Sequence, residues 1–283
     1  MKIVVIGKNG QLSSEFRYLK EADQNWKFLS STDLDITNKF NVLNYFELYP
    51  CDIIINCAAY TNVDKAEDEL DDCYLLNKNS VQNLIEACIL NNSKLIHFST
   101  DYVFDGNKST PYFEDEIPNP IGVYGKSKLA GEIVVKKSSV KSIIIRTSWL
   151  YSRFGNNFVK TMIKLGNNQN TIGVVNDQVG SPTYAGDLVM VVLKILKSHN
   201  YNWTTGDIFN VSNEGSCSWY EFADEIFKLT NQKVNLNKLT ASDYKTKAKR
   251  PNFSLLSKEK ISNEFDIKIS DWRSSLKIMI NKI

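Results

Sequence analysis

Residues 2–13 read KIVVIGKNGQLS, and this stretch decides the fold class. A short run of β-branched residues ends at Gly7, and residues 11–20 can continue as a helix. Glycines at such a turn let the backbone approach a pyrophosphate, and a helix N-terminus favours negative charge. The spacing of Gly7 and Gly10 departs from GxGxxG, so an ordinary structural turn remains an alternative. We predict a first strand followed by a dinucleotide-binding loop.

The same alternation continues through the first half of the chain. Further apolar runs and helix-like stretches alternate: IIINC at 53–57, a helix at 76–91, KLIHFS at 94–99, a helix at 125–137 and IIIRT at 143–147. Continuous apolar runs separated by helices indicate a parallel sheet covered on both faces. The predicted fold is therefore α/β, a Rossmann-type doubly wound parallel sheet.

The rhythm changes after about residue 150, where glycine and asparagine become frequent. Predicted helices are separated by irregular segments and lie at 157–165, 184–197 and 219–229. Ser218, followed three positions later by Glu221, forms a capping-box pattern at the start of the last one. We expect residues 1–150 to form a dinucleotide-binding Rossmann domain. Residues 151–283 would form mainly a smaller, mixed α/β substrate-binding domain, with segments that can return to the first.

Composition excludes several classes of function. The 34 basic and 32 acidic residues leave a net charge of +2, which is no footprint for nucleic-acid binding. No stretch reaches the ~20 apolar residues that a membrane helix needs. The N-terminus reads as a strand and not as a signal peptide, so we expect a cytoplasmic protein. The basic cluster KTKAKR at 245–250 is interpreted as solvated surface, with contact to an anionic ligand as the alternative.

Cysteine and histidine content argues against metal chemistry. The five cysteines are scattered and never spaced as CxxC, which disfavours a disulfide framework or a zinc site. We expect them to be small core residues, and His97 likewise. With only two histidines in the chain, histidine-based catalysis has little to use, so no metal ligands are assigned.

The candidate catalytic group lies at the end of the predicted strand at 94–99 and at the start of the predicted helix that follows it. Tyr124 and Lys128 stand four apart at the start of a helix and so share one face. An adjacent ammonium favours the phenolate and would lower the tyrosine pKa from ~10 towards neutrality. Upstream, Ser99, Thr100 and Asp101 end the strand KLIHFS at the edge of the sheet where ligands bind. A hydroxyl there could hydrogen-bond a substrate oxygen beside Tyr124, which predicts proton exchange with a carbonyl or alcohol.

A carboxylate near the end of a second strand usually meets the adenosine ribose in such folds. Asp33 and Asp35 are the candidates, and no arginine accompanies them to clamp a 2′-phosphate. Lys8 in the loop could partly substitute. The sequence therefore slightly favours NADH and also allows NADPH.

Seven strings, in this order, resemble the dTDP-4-dehydrorhamnose reductases, a branch of the extended short-chain dehydrogenase/reductases. They are GKNGQL, NCAAYTNVDKAE, STDYVFDG, YGKSKLAGE, RTSWLY, GNNF and NDQVGSPT. The similarity runs from residue 3 to Arg250-Pro251-Asn252. It implies reduction of the 4-keto group of dTDP-4-dehydro-L-rhamnose to dTDP-L-rhamnose, the last step of dTDP-rhamnose biosynthesis.

The resemblance also implies roles for particular residues. The catalytic group would be Thr100, Tyr124 and Lys128. The nucleotide sugar would meet Thr100, Asp101, Tyr124 and Trp149, although Trp149 could also be a core tryptophan. Besides Tyr124 and Lys128, the residues implied to touch NADH or NADPH are Gly10, Gln11, Leu12, Asp35, Ile36, Ala58, Ala59 and Tyr60.

Two departures from the family pattern bear on packing and on metal. Ser13 stands where relatives often have glycine, with a modest effect expected on how closely the helix approaches the sheet. Some relatives hold Mg²⁺ at a dimer contact through glutamates, and Glu15 matches one position only. A homodimer is thus possible, and Mg²⁺ is not assigned.

Alternatives within and outside the superfamily stay open. Dehydratases generally carry Thr-Asp-Glu, whereas this chain has Thr100-Asp101-Tyr102. An epimerase would show no net consumption of NAD(P)H. A reductase of another nucleotide-linked 4-keto-deoxysugar, or a non-catalytic regulatory homologue, would keep the same fold.

Overall fold

The computed structural model describes residues 1–283, and a six-stranded parallel sheet forms its centre. The strands are β1 (Ile3–Ile6), β2 (Trp26–Leu29), β3 (Ile53–Asn56), β4 (Lys94–Thr100), β5 (Ser142–Thr147), β6 (Leu150–Tyr151), β7 (Thr171–Val175), β8 (Val179–Gly180), β9 (Thr183–Tyr184), β10 (Asp207–Asn210), β11 (Cys217–Ser218) and β12 (Asn235–Leu239). The helices are α1 (Gln11–Lys20), α2 (Lys39–Leu48), α3 (Leu70–Tyr74), α4 (Ser80–Asn91), α5 (Val123–Lys136), α6 (Phe158–Gly166), α7 (Ala185–Lys197), α8 (Trp219–Leu229), α9 (Glu259–Phe265) and α10 (Trp272–Ile280).

The central sheet has the strand order β10-β5-β4-β3-β1-β2 and all its pairs are parallel. Except for the edge strand β2, its strands are largely buried, with separate apolar clusters on the two faces of the sheet. The chain reverses direction across the sheet between β1 and β3, and such a switch point is where open α/β sheets bind ligands. The predicted doubly wound parallel fold is confirmed.

The sequence pattern correctly predicted most of the strands and helices in the first half of the chain. The predicted helix at 11–20 is α1, and the runs at 53–57, 94–99 and 143–147 became β3, β4 and β5. The helix predicted at 76–91 begins instead with a π-helical turn at Leu75–Asn79, and only then continues as α4. The edge strand β2 and the helix α2 were not predicted.

The second half contributes both to the central sheet and to a core of its own. Strand β10 pairs with β5 and completes the sheet, and α7 packs on α1. Three two-stranded sheets pair β12 with β7, β11 with β8 and β6 with β9. A separate apolar cluster, with Phe222 and Trp272 fully buried, lies beneath them. The capping box at Ser218 and Glu221 is present.

Buried polar and sulfur groups lie largely where they were expected. His97 is fully buried, and four of the five cysteines are buried and unpaired. The exception is Cys57, which lines the cleft described below, because it follows β3 at the switch point. None of the helices is both long and apolar enough to cross a membrane.

Candidate active site

A cleft of about 580 Å³ lies over the carboxyl ends of the central strands. It is lined by the end of the glycine loop, the ends of β4 and β5, the first turn of α5 and part of the second half of the chain. Nine residues predicted for the site line it: Gly10, Gln11, Leu12, Ala59, Thr100, Asp101, Tyr124, Lys128 and Trp149.

The glycine loop has the geometry of an anion cradle. Gly7 has a φ of +89°, and a Cβ there would lie 2.9 Å from the backbone nitrogen of Ala58, so a side chain is excluded by both conformation and space. Gly10 precedes α1 in an extended conformation, and no side chain caps the helix. The first N–H groups of α1 thus remain available where Gln11 and Leu12 line the cleft. These residues fit a dinucleotide pyrophosphate.

Lys128 is buried, and its ammonium is held by the backbone. Its Nζ donates a 2.6 Å hydrogen bond to the carbonyl oxygen of Phe98 in β4. Burial lowers the Lys128 pKa to about 8, and the nearby Glu132 carboxylate opposes the shift. At neutral pH the group is therefore mainly charged, but it titrates within reach of ordinary assays.

The pKa of Tyr124 is shifted in the direction opposite to the one predicted from the sequence. Although its ring is partly open to the cleft, burial raises the Tyr124 pKa above its usual value of 10, and the neighbouring Thr100 hydroxyl opposes the rise. Desolvation of the phenol, and not the charge of Lys128, is therefore what sets the direction of the shift. A protonated tyrosine is the form that can donate a proton, which suits the direction of ketone reduction.

Thr100 and Asp101 form a short polar chain beside this tyrosine. The Thr100 hydroxyl donates to Oδ1 of Asp101 over 3.0 Å and accepts a 3.2 Å bond from the backbone of Tyr102. Asp101 is 1% exposed, and burial raises its pKa to about 6. The carboxylate thus orients the Thr100 hydroxyl at neutral pH.

Tyr102 occupies the position at which a dehydratase would carry glutamate. Its ring packs edge-on against Tyr124, with centroids 5.6 Å apart and planes at 73°. Burial raises the Tyr102 pKa, so the side chain is a neutral wall and not a second acid or base in the accessible pH range. This arrangement disfavours elimination chemistry.

Trp149 stands at the far wall of the cleft, directly after β5. Its indole stacks on Trp219 with ring centroids 3.6 Å apart and planes 8° from parallel. Both rings are partly exposed and line the cleft, so Trp149 is not a fully buried core residue.

Five other predicted residues do not line the cleft. Asp35 is exposed and its carboxylate accepts bonds from the backbone and hydroxyl of Thr37. Ile36 is buried in the core. Gly7 and Ala58 pack together behind the loop.

The fifth of them, Tyr60, is held by hydrogen bonds at both its backbone and its hydroxyl. Its backbone nitrogen donates to Asn77, and its hydroxyl donates to Glu69 over 2.5 Å. The bond to Glu69 raises the Tyr60 pKa to about 12. Only backbone atoms of Tyr60 could therefore approach a ligand without breaking that bond.

Glu15 is engaged within the chain. It is 2% exposed and accepts a 2.8 Å hydrogen bond from Ser152, with the Arg153 guanidinium 3.7 Å away. Ser13 is also fully buried and its hydroxyl lacks a partner. No group of three or more acidic, histidine or cysteine side chains is arranged to hold a metal ion.

The cleft also contains polar residues to which the sequence analysis gave no definite role, although Ser99 was named there among the hydroxyls at the end of its strand. Ser99 and Thr147 have buried hydroxyls without hydrogen-bond partners, and both line the cleft, so a ligand bound there could accept or donate these bonds. Arg250 reaches the cleft with its Nε unpartnered while its Nη2 lies 3.1 Å from Asp64. The string Arg250-Pro251-Asn252 had marked that position, whereas nothing but the capping box pointed towards Trp219.

Fold and site together define a Rossmann-type α/β protein with the tyrosine and lysine of the short-chain dehydrogenase/reductases in its cleft. The chain belongs to the family whose model is described as the RmlD substrate binding domain, which matches residues 1–283. The resemblance found in the sequence is thereby confirmed.

Individual relatives agree with this assignment. The chain is 43% identical to a dTDP-4-dehydrorhamnose reductase of Aggregatibacter actinomycetemcomitans, over 98% of this chain and 97% of the relative. A crystal structure of dTDP-4-dehydrorhamnose reductase from Bacillus anthracis in complex with NADP is 39% identical, with a TM-score of 0.94 and full coverage of both chains. The Clostridium acetobutylicum dTDP-4-dehydrorhamnose reductase is 40% identical, with a TM-score of 0.93 over 100% of this chain and 99% of that one.

Proposed function

We propose that this protein is an NAD(P)H-dependent oxidoreductase that reduces the 4-keto group of dTDP-4-dehydro-L-rhamnose to dTDP-L-rhamnose. This is the last step of dTDP-rhamnose biosynthesis. The observation that carries the proposal is the convergence of Gln11, Thr100, Tyr124, Lys128 and Trp149 on one cleft. Relatives named dTDP-4-dehydrorhamnose reductase match nearly the whole chain, which supports the choice of substrate.

In this proposal three residues of the chain have separate roles in the transfer of one proton to the substrate. Tyr124, kept protonated by burial, donates its proton to the developing alkoxide at the sugar C4. Thr100 would polarise the same oxygen by turning its hydroxyl hydrogen from Asp101 to the substrate. Lys128 stabilises the negative charge left on Tyr124 and binds the nicotinamide ribose. The reduced nicotinamide supplies the hydride when it is bound.

Binding of the cofactor and of the sugar falls to different walls of the cleft. Gly10, Gln11 and Leu12 would bind the pyrophosphate at the start of α1, and Ala59 would contact the dinucleotide after β3. Contacts from Gly7, Asp35, Ile36, Ala58 and Tyr60 are proposed through the same loops, although none of these residues lines the cleft. Trp149 would cover the sugar ring.

Lys8 bears on the choice between NADH and NADPH. It follows Gly7 in the loop. Hydrogen bonds from Ser30 are the largest causes of the lowered pKa of Asp33, and the charge of Lys8 lowers this pKa further. The Asp33 carboxylate is already bonded to the backbone and hydroxyl of Ser30. Lys8 would therefore be free to meet a 2′-phosphate, and we propose that NADPH serves as well as NADH.

Three further expectations stay predictions. Residues 1–150 are proposed to bind the dinucleotide and 151–283 mainly the sugar nucleotide, with β10 and α7 returning to the first half. We also propose a homodimer and a cytoplasmic location.

A direct assay tests the proposed function. Purified protein is mixed with dTDP-4-dehydro-L-rhamnose or other 4-keto sugar nucleotides, with NADH and NADPH in separate reactions, and nicotinamide absorbance is followed. We expect net oxidation of the cofactor and the fastest rate with dTDP-4-dehydro-L-rhamnose. A faster rate with another sugar would reassign the substrate, and no oxidation with any sugar would exclude a reductase.

A further inference from the structure

The backbone of Trp149 is held in an unfavourable conformation at the wall of the cleft. Its φ is +45°, in the left-handed region that a bulky side chain rarely adopts. Strain of this kind persists only where the surroundings impose it, most often at functional sites. The surroundings of Trp149 therefore show what fixes its ring.

Two residues fix the indole from different sides. One face lies flat on Trp219, at 3.6 Å between centroids. The edge of the indole reaches Gly180, where a Cβ would lie 2.7 Å from Cε2 of Trp149. Gly180 therefore leaves the space that this orientation of the ring requires.

The same small ladder carries both of these contacts. Strands β8 and β11 pair antiparallel, with Gly180 opposite Cys217 and Val179 opposite Ser218. Trp219 follows Ser218 directly and is the first residue of α8. The ladder thus fixes Gly180 and Trp219 relative to each other through contacts that do not involve Trp149.

Local interactions set the direction of the Trp219 ring. The Ser218 hydroxyl accepts from the backbone of Glu221, and the Glu221 carboxylate accepts a 2.7 Å bond from the backbone of Ser218. This capping box fixes the first turn of α8. Phe158, the first residue of α6, packs against Trp219 with centroids 4.6 Å apart. Trp219 is therefore held by its own helix start and by a neighbouring helix.

We propose that Trp219 is a positioning residue, which holds the Trp149 indole in the orientation that receives the sugar of the substrate. This role rests on the proposed function, since it gives Trp149 the sugar contact. Trp219 acts through Trp149, and its loss releases the indole to other rotamers and relaxes the strained backbone. The sugar then binds to a wall that must first be ordered, which weakens sugar binding more than cofactor binding.

The test compares Trp219→Ala and Trp219→Phe with the wild type, using dTDP-4-dehydro-L-rhamnose and NADPH. We expect Trp219→Ala to raise the KM for the sugar nucleotide about tenfold, the scale of a lost aromatic pair together with its buried area. The KM for NADPH should change by less than about twofold. Trp219→Phe should recover most of the loss, because a phenyl ring can still stack on Trp149.

A double-mutant cycle separates positioning from independent binding. If Trp219 acts through Trp149, then Trp149→Ala with Trp219→Ala should be no worse than Trp149→Ala alone. Additive losses would overturn the proposal. Trp26→Ala is the matched control, since Trp26 is another partly exposed tryptophan stacked on aromatic rings, Phe16 and Phe28, outside the cleft. It should lower the melting temperature without changing the sugar KM.

Other outcomes separate a failure of the positioning role of Trp219 from a failure of the proposed function. An unchanged sugar KM in folded Trp219→Ala, with an active wild type, overturns the positioning role alone. If Trp219→Ala does not fold, Trp219→Leu is compared with Trp219→Phe, and equal sugar KM values overturn the role. A wild type that reduces none of the 4-keto sugar nucleotides overturns the proposed function and the positioning role with it.

Discussion

The hydroxyl of Thr100 donates a 3.0 Å hydrogen bond to the buried carboxylate of Asp101. Only the ionised carboxylate accepts this bond in full, and burial places the Asp101 pKa at about 6. The orientation of the hydroxyl that would face the substrate ketone is thus coupled to the charge of a residue that need not touch the reacting atoms.

The acid side of the pH profile should report this coupling. As pH falls through about 6, Asp101 gains a proton and becomes a weaker acceptor, so the Thr100 side chain is held less firmly and kcat/KM for the sugar nucleotide should decrease. Asp101→Asn should lower kcat/KM at pH 7 and remove this acid limb. An acid limb that persists unchanged in Asp101→Asn would assign it to another group.

The alkaline side should report Lys128. Its pKa lies at about 8 because it is buried, so its ammonium is lost as pH rises through that value. We expect kcat/KM to decrease above about pH 8 in the free enzyme. Lys128→Met should be nearly inactive across the whole range. A wild-type kcat/KM that stays level to pH 10 would contradict a role for the ammonium.

Removal of the proton donor is the most direct test of the chemistry. Tyr124→Phe should retain binding of NADPH, measured by fluorescence titration, because the phenyl ring preserves the packing on Tyr102. Turnover should fall by about 10²–10⁴-fold, the usual contribution of a general acid. Near-normal turnover would remove Tyr124 from the mechanism.

The loop lysine should discriminate between the cofactors. Lys8→Ala removes the loop cation that we propose meets the 2′-phosphate of NADPH. We expect the KM for NADPH to rise about fivefold, as for one solvent-exposed charge contact, and the KM for NADH to stay unchanged. Equal effects on both cofactors would place Lys8 at the shared pyrophosphate instead.

A buried ion pair behind the site should dominate stability. Arg146 in β5 bonds Glu132 of α5 through two nitrogens, at 2.9 and 2.8 Å, and each residue is 1% exposed. Arg146→Met leaves an unpaired buried carboxylate, so the free energy of unfolding should fall by about 3–5 kcal/mol. Urea denaturation measures this. Lys228→Met, which breaks the exposed pair with Asp224, is the matched control and should leave the midpoint unchanged.

The sequence alone determined the parts of this protein that depend on neighbours along the chain. Strands β3, β4 and β5 were predictable because their apolar runs are continuous, as parallel strands buried on both faces require. The capping box at Ser218 and the shared helix face of Tyr124 and Lys128 follow from spacings of three and four residues. The seven sequence segments that resemble the family, in their order along the chain, predicted the substrate.

Only the tertiary structure decided what depends on distant residues. Strand β2 is short and half exposed, so it carries little apolar signal, and β10 joins the sheet by pairing with β5 about sixty residues earlier. The pKa of Tyr124 rises, against expectation, because desolvation depends on everything that packs around the side chain in the folded protein. Trp149 and Trp219 meet for the same reason: folding brings together side chains whose contact no local pattern encodes.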